Sequence, residues 1–574
     1  MAVEESSPLS TLRGLQKLQY RGYDSFGILL WNRGENSVLL CKEKGELSAE
    51  IMESLLQKKS NIELGHTRWA THGKSSRENA HPHFDTKQEF FVVMNGIVEN
   101  ADEVRTELQS EGVVFVSETD TEIIPQLYAY YYEEDSSLSL LQLTEKVLER
   151  LFGEFSFILK FGHEILAYKH SNPLLVGKKD SEWYLCSDAS DIQSKCSEYF
   201  LLEDKQIFHL NMEADFVRSA LYDKDMRKLE IKFRVSKVQE GEEEKSQEYY
   251  MEKEMLEQKH LRKLLTEENK KEIQRIAESL QKKPVYLLGA GSSYHATLYL
   301  HYKLLERGIV SQCILASELE NYSQIKDSLL LVFSQSGETA DLLHPLKTLK
   351  EKNELVAITN APDSSIDCMA EQRIHLHCGK EISVASTKAF LFQSYVAELL
   401  TQELEGKELG FELDDFERDF ALVFSENEGK IEELVEKLAE KKSFFFLGKR
   451  QYYPLACEAA LKLKEISYIH AEGYAGGELK HGPLALIESG VPVVILGDEN
   501  AILSNAIEVK TRGGFLIGIG KKESSYFDCF LRVPEHHSEQ YTVMLSQMLA
   551  FKMAVHKGIN PDKPRNLAKS VTVK

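Results

Sequence analysis

Two stretches of the chain repeat one shape, and that repetition limits what its second half can fold into. "VYLLGAGSSYHATLYLHYKLLE" from Val285 and "FFFLGKRQYYPLACEAALKLKE" from Phe444 each run from an apolar strand through a glycine, Gly289 or Gly448, and a polar turn into an amphipathic helix. A short apolar run feeding a helix is half of a β–α–β crossover, so its recurrence points to two copies of one α/β unit. "LLLVF" from Leu329, "LVAIT" from Leu355 and "RIHLH" from Arg373 alternate with helical stretches and read as buried strands of a parallel sheet. Before Val238 the pattern differs. Short β-rich runs such as "EFFVVMNG" and "FSFILKF" alternate with turns and two or three amphipathic helices, an α+β pattern. Between the two regions "VQEGEEEKSQEYYMEKEMLEQK" is charged and mostly lacks an aliphatic stripe, so residues 238–260 read as an acidic, solvated linker passing into a helix.

Composition narrows the partners. The 574 residues carry a formal charge of −22 and concentrate Lys and Arg nowhere, which argues against a nucleic-acid partner. A single phosphate needs only a local nest of donors and stays open. The longest apolar runs, such as "VPVVILG" from Val491, fall far short of the ~20 residues that cross a bilayer. The opening "MAVEESSPLSTL" has neither a basic flank nor an apolar core, so no secretory leader is expected. Eight cysteines without a C-x-x-C pair fit neither a disulfide framework nor a zinc site, and a reduced cytoplasmic protein is expected.

Several stretches carry candidate chemistry. In "LLLVFSQSGETADLLHPLKTLKE" a strand ends near Phe333 and a helix starts near Ala340, with Ser334, Gln335, Ser336 and Thr339 in the turn. Unpaired N–H groups at a helix start and clustered hydroxyls suit a phosphate monoester; the same residues also suit an ordinary helix cap. "LLGAGSSYHA" offers a second polar turn at Ser292 and Ser293, and Tyr294 stands where a dinucleotide fingerprint wants its third glycine. "EISVASTKAFLFQ" from Glu381 places Ser386, Thr387 and Lys388 at another helix start.

"EAALKLKEISYIHAEGYAGGELKHGPLALI" from Glu458 is the densest stretch. Lys462 and Glu465 share a helix face, either as a pair acting on one ligand or as an i,i+3 ion pair on a wet surface. Lys569 lies in the tail "DKPRNLAKSVTVK", whose simplest reading is a frayed terminus. Nearer the start, "GHTRWATHGKSSRENAHPH", "MNGIVEN" and "SETDTE" supply Arg68, Trp69, Thr71, His72, Asn95, Gly96 and Asp120. An Arg for a carboxylate, an Asp for an ammonium and a donor beside a glycine suit an α-amino acid; a polar loop at a sheet edge is the alternative. The histidines there, and His375, His377 and Cys378, do not make a metal site by spacing, and no metal or cofactor is expected.

Together "LQYRGYDS", "HTRWATHG", "NGIVEN", "SETDTE", "SQSGETADLL", "VASTKAF", "LKLKEISYIHAEGYAGGELKHGPLALI" and "PRNLAKSVTV" closely resemble glutamine:fructose-6-phosphate amidotransferase (isomerising), the glucosamine-6-phosphate synthase family, over nearly the whole chain. The resemblance implies an N-terminal-nucleophile-type glutaminase domain (α/β/β/α) over 1–237, then two sugar isomerase (SIS) domains with parallel sheets over 261–430 and 431–560, and an active-site tail over 561–574. It implies that Ser293, Ser334, Gln335, Ser336 and Thr339 hold the phosphate and that Val384 contacts the sugar. Lys569 would form an imine with the ketose, Glu465 would move a proton between C1 and C2 beside Lys462, and His481 of a neighbouring subunit would open the ring, so at least a homodimer is expected. Arg68, Trp69, Thr71, His72, Asn95, Gly96 and Asp120 would hold glutamine. Its implied product is glucosamine-6-phosphate, the precursor of UDP-N-acetylglucosamine.

The sequence departs from the family at its start. The family's nucleophile is an N-terminal cysteine whose own α-amine can act as base. This sequence opens without the Cys-Gly-Ile strand, and its first cysteine is Cys41, in a strand-like run. A start placed downstream of the true one and a genuine loss both account for this. The chain as given is expected to isomerise sugar phosphate and to use ammonia at best, which leaves a glutaminase-silent isomerase or ammonia-dependent synthase beside the full activity. A non-catalytic sugar-phosphate sensor is a third reading, one that would not need Lys462, Glu465, His481 and Lys569 together.

Overall fold

Short, largely apolar runs become the strands of two five-stranded sheets in the second half of the chain. The computed structural model describes residues 6–19, 22–69, 73–170, 172–212, 217–235, 247–497 and 500–569. They fall into two compact units, from residues 1–242 and 243–569.

In the second unit the first sheet has the strands Val285–Gly289, Ser311–Leu315, Leu329–Ser334, Glu354–Thr359 and Gln372–His375. The other has Ser443–Gly448, His470–Ala475, Pro492–Leu496, Phe515–Gly520 and Cys529–Arg532. Every neighbouring pair is parallel, and in both sheets the chain's second strand lies outside the first while the third, fourth and fifth follow on the other side. That order reverses direction between the first and third strands, and a crevice opens there at the strands' carboxyl ends. The repeat seen in sequence is therefore a repeat of topology. Strand Ser311–Leu315 was not legible as an apolar run, because Gln312 and Leu315 are exposed on this edge strand.

The two copies share one core. Leu287, Leu331 and Ile358 of one sheet and Phe444, Val494 and Ile517 of the other join a single buried cluster with helices Gly291–Leu305, Lys388–Leu404, Tyr452–Ser467 and Ser538–His556. The boundary expected between residues 430 and 431 falls inside the continuous helix Leu413–Leu438, whose Phe416, Phe420 and Ile431 belong to that core. The linker expectation needs a second correction. Residues 238–246 lie outside the described residues, but Tyr250–Glu257 is a helix with Met251, Glu254 and Met255 buried, not a solvated segment. Its apolar side consists of methionines, which a search for aliphatic periodicity passes over.

The first unit is a four-layer sandwich. A seven-stranded antiparallel sheet presents Phe90, Val92 and Met94 to helices Ala101–Ser110, Ile123–Glu134 and Leu140–Arg150, and Phe91 and Val93 to a second layer of sheet. Strand Ser25–Asn32 in that layer sends Leu29 and Trp31 inward and Phe26, Ile28 and Leu30 out to helices Leu9–Leu18 and Ala49–Leu56. Period-two alternation of this kind places each strand between two apolar layers. The expected α/β/β/α order is observed. Among the described residues no helix is long and apolar enough to cross a membrane.

Candidate active site

Strand Leu329–Ser334 ends in the turn that sequence marks for phosphate, beside Gly289, which is paired with Phe333 in the neighbouring strand. The turn thus opens at the topological switch point. Ser334 Oγ accepts from Gly337 N at 3.1 Å and lies 3.0 Å from Thr339 Oγ1, and Ser336 Oγ accepts from Glu338 N at 3.2 Å. Gly337 has φ of +64°, and a Cβ there would meet Ser364 Oγ at 1.9 Å, so the turn requires glycine. Thr339 is the N-cap residue of helix Ala340–Leu349, yet its side chain makes no capping bond. The helix-cap reading therefore does not account for Thr339. Gln335 directs its carbonyl toward Asn360 N at 3.1 Å. Ser293, in the first turn of helix Gly291–Leu305, accepts from Gln393 Nε2 at 3.1 Å.

The adjacent cluster joins both copies. Lys462 is fully buried; its Nζ lies 2.6 Å from Glu465 and 3.4 Å from Glu458, and donates to Ser292 Oγ at 3.1 Å. Glu458, equally buried, accepts from Ser292 Oγ at 2.9 Å and contacts His295 Nδ1 at 2.8 Å. The Lys462–Glu465 pair is thus no ion pair on a wet surface. Burial alone would push Lys462 down, but Glu458, Glu465 and, more weakly, Glu381 raise it above its ordinary value. Burial would push Glu458 up, and Lys462, His295 and Ser292 outweigh it and hold the carboxylate low.

Lys569 is not frayed. Its side chain is 4% exposed and its ammonium is paired with Glu381, whose side chain is fully buried. Glu381 also accepts the backbone N–H of Thr387 at 2.9 Å and of Ala389 at 3.1 Å, capping helix Lys388–Leu404. Burial would raise Glu381; Lys569 and these donors hold it below its ordinary value. Val384, also buried, donates its N–H to the Asp562 carbonyl at 3.0 Å. His481 ends the turn Gly476–His481 and is exposed on its own chain. Sequence reading missed Glu458, Glu381 and His295 as members of these clusters. Their charged partners lie more than 100 residues away, Lys462 for Glu458 excepted; that i,i+4 spacing was the one local signal among the charged pairs.

In the first unit, Arg68 ends strand Ile62–Arg68 and is buried, with its guanidinium 3.4 Å from the carbonyls of Gly73 and Lys74. Burial lowers its pKa, and Asp24 and Asp120 oppose that. Trp69 meets Tyr23 edge to face at 6.0 Å. Asn95 Oδ1 lies 3.1 Å from His66 Nε2, and Asp120 Oδ2 accepts from Val98 N at 2.9 Å. Gly96 has φ of +109°, and a Cβ there would meet the Glu154 carbonyl at 2.1 Å. Thr71 and His72 lie outside the described residues. His66 stacks on His81 with centroids 4.2 Å apart, and His81 meets His83 edge to face at 4.7 Å. Burial pushes all three down, His66 to about 4.

With this geometry in place, the similarities to known proteins take on meaning. Residues 280–402 and 437–557 match the SIS domain, and residues 66–194 match a glutamine amidotransferase domain. The glutamine–fructose-6-phosphate aminotransferase (isomerizing) of Pyrococcus horikoshii is 37% identical over 602 residues, covering 98% of this chain and 97% of that protein. The enzyme of the same name from Aquifex aeolicus is 37% identical over 591 residues, covering 98% and 97%. That from Clostridium tetani is 36% identical over 610 residues, covering 99% and 98%. The chain belongs to the glutamine–fructose-6-phosphate aminotransferase (isomerizing) family. Its members' two SIS domains correspond here to the two five-stranded sheets, and the amidotransferase match falls within the four-layer unit.

Proposed function

We propose that the chain converts fructose-6-phosphate and a nitrogen donor to glucosamine-6-phosphate. The observation that carries this reading is the buried Lys569–Glu381 pair, within electrostatic reach of Lys462 through Glu381. Ser334, Gln335, Ser336, Thr339 and Ser293 hold the phosphate, and Val384 lies along the sugar. His481 of a second copy opens the ring, so the working species is at least a dimer. Lys569, once its ammonium has lost a proton to solvent, adds to the C2 carbonyl; water leaves and an imine forms. Ammonia then displaces Lys569 from C2. Glu465 takes the C1 proton and returns it to C2, while the C1 hydroxyl proton passes to the nitrogen, which leaves an amine at C2 and an aldehyde at C1.

The sugar half is proposed to accept its nitrogen as ammonia. Arg68, Trp69, Asn95, Gly96 and Asp120 are assigned to glutamine binding, but Cys41 is a poor nucleophile. It is half-buried in strand Ser37–Lys44, and burial and Glu43 push its thiol up. Purified protein should form glucosamine-6-phosphate with ammonium, and Cys41→Ala should leave glutamate release from glutamine unchanged. Failure to use ammonium would overturn the ammonia assignment, and failure of Lys569→Ala to stop turnover would overturn the imine.

A further inference from the structure

Three segments far apart in sequence close around Lys569. The carboxylate of Asp562 accepts the N–H of Tyr250 at 2.9 Å and of Met251 at 2.7 Å, which ties the C-terminal segment to the start of helix Tyr250–Glu257. The Asp562 carbonyl accepts from Val384 N at 3.0 Å, which ties that segment to the loop 381–388. Glu254, on the same helix and 2% exposed, accepts the N–H of Ile382 and, at 3.1 Å, of Ser383, and takes the Ser383 hydroxyl on its other oxygen. Glu257 pairs with Lys388 at the far end of the loop. Glu381, next to the residues Glu254 grips, holds the Lys569 ammonium.

We propose that Glu254 is a positioning residue for the reaction at Lys569: it clamps the loop that carries Glu381, and in its protonated form it lets Lys569 leave Glu381 and attack the ketone. The proposal rests on Lys569 forming the imine. Its physical basis is the crowding of two buried carboxylates. Two such groups near one another cannot both stay ionised without a cation between them, and the Lys569 ammonium is that cation. When Lys569 gives up its proton to attack, Glu381 keeps its charge, because Thr387 and Ala389 still donate to it. Repulsion between Glu381 and an ionised Glu254 would then oppose the attack, and a neutral Glu254 removes it. The titratable and charged groups facing Glu254 are Glu381 and Cys378 of the loop, Lys388 of the following helix and Lys569 of the C-terminal segment. Burial first and Glu381 second push Glu254 up to about 8.

The test is the rate at which borohydride traps labelled fructose-6-phosphate on Lys569 of the full chain between pH 6.5 and 9.5. It is read for wild type, Glu254→Gln and Glu254→Ala, with the KM for fructose-6-phosphate as the check on folding and phosphate binding. Gln keeps the acceptor and the neutral charge. The titration of Lys569 cancels in the ratio of wild type to Glu254→Gln, which should stay flat below pH 7.5 and fall about tenfold by pH 9, one proton's worth. Glu254→Ala, which loses the clamp, should trap about 10- to 100-fold more slowly at pH 7, with Gln restoring most of that rate and KM unchanged. A pH-independent ratio, or an Ala variant that traps like wild type, would overturn the role of Glu254 and leave the imine standing. Absence of a Lys569 adduct in the wild type at every pH would overturn both.

Discussion

In the sheet that begins at Val285, the crevice between the first and third strands is lined by hydroxyls; in the sheet that begins at Ser443, the turn after the first strand carries Lys449 and Arg450, both exposed. The helices after those turns diverge as well. Lys303 stands as far beyond Gly289 as Lys462 does beyond Gly448, and both lysines are buried against carboxylates. Lys303 pairs at 2.9 Å with Glu398 on helix Lys388–Leu404, whereas Lys462 sits between Glu458 and Glu465 and reaches Ser292 of the other copy. A duplicated fold has thus been divided by task. In the function proposed above, one copy supplies the polar turns for the phosphate, and the other supplies from its first helix the acid–base groups, Lys462 reaching Ser292 of the first copy.

The largest effect that would sharpen this division is at Lys569. Lys569→Ala should lower turnover at least ~10³-fold, since it removes the nucleophile, while fructose-6-phosphate still protects the protein against heat. Next comes the counter-charge that joins the copies. Glu458→Gln leaves the buried Lys462 with Glu465 alone, and should cost about 3–5 kcal/mol of stability in denaturant titrations, with turnover falling as well. In the hydroxyl-lined turn, Thr339→Val should raise KM by about 10- to 100-fold, the worth of one hydrogen bond to a charged group, and leave kcat within a few-fold. The smallest effect is expected in the helix of the first copy: Lys303→Met should leave kcat/KM within about twofold. Equal losses from Lys303→Met and Lys462→Met would break the division.

The two units should also differ toward acid. His66, His81 and His83 have folded pKa values pushed below the ordinary His value of ~6.5, so the unfolded chain binds protons first and the first unit loses stability as pH falls below ~6.5. Glu458 and Glu381 are held below the ordinary Glu value of ~4.3, so the second unit keeps their contribution above that pH and loses it only as pH falls further. Glu254, raised to about 8, has the opposite effect in the second unit, since the folded state holds its proton where the unfolded chain does not. Calorimetry at pH 5 and 7 should show the first unit's transition falling toward acid and the second's rising.

Much of this was legible from sequence because it is local. Short apolar runs marked four strands of the sheet that begins at Val285 and the first of the sheet that begins at Ser443, the Ser334–Thr339 turn stood out as a phosphate candidate, and Lys462 with Glu465 marked a helix face. The features that escaped are those in which burial decides chemistry. Glu254 lies in a stretch whose composition reads as solvated, yet it is buried because Met251 and Met255 enter the core and Ile382 and Ser383 satisfy its oxygens. Glu381 and Lys569 lie 188 residues apart, and nothing local pairs them. His295 reaches Glu458 across 163 residues, a contact created only when the two copies pack through their first helices.

The most direct measurement is a peptide map of the protein after borohydride reduction in the presence of labelled fructose-6-phosphate. Label confined to the peptide that contains Lys569, and absent from Lys462 and Lys303, is the expected result. Label on another lysine, or none under conditions in which glucosamine-6-phosphate accumulates, would contradict the account.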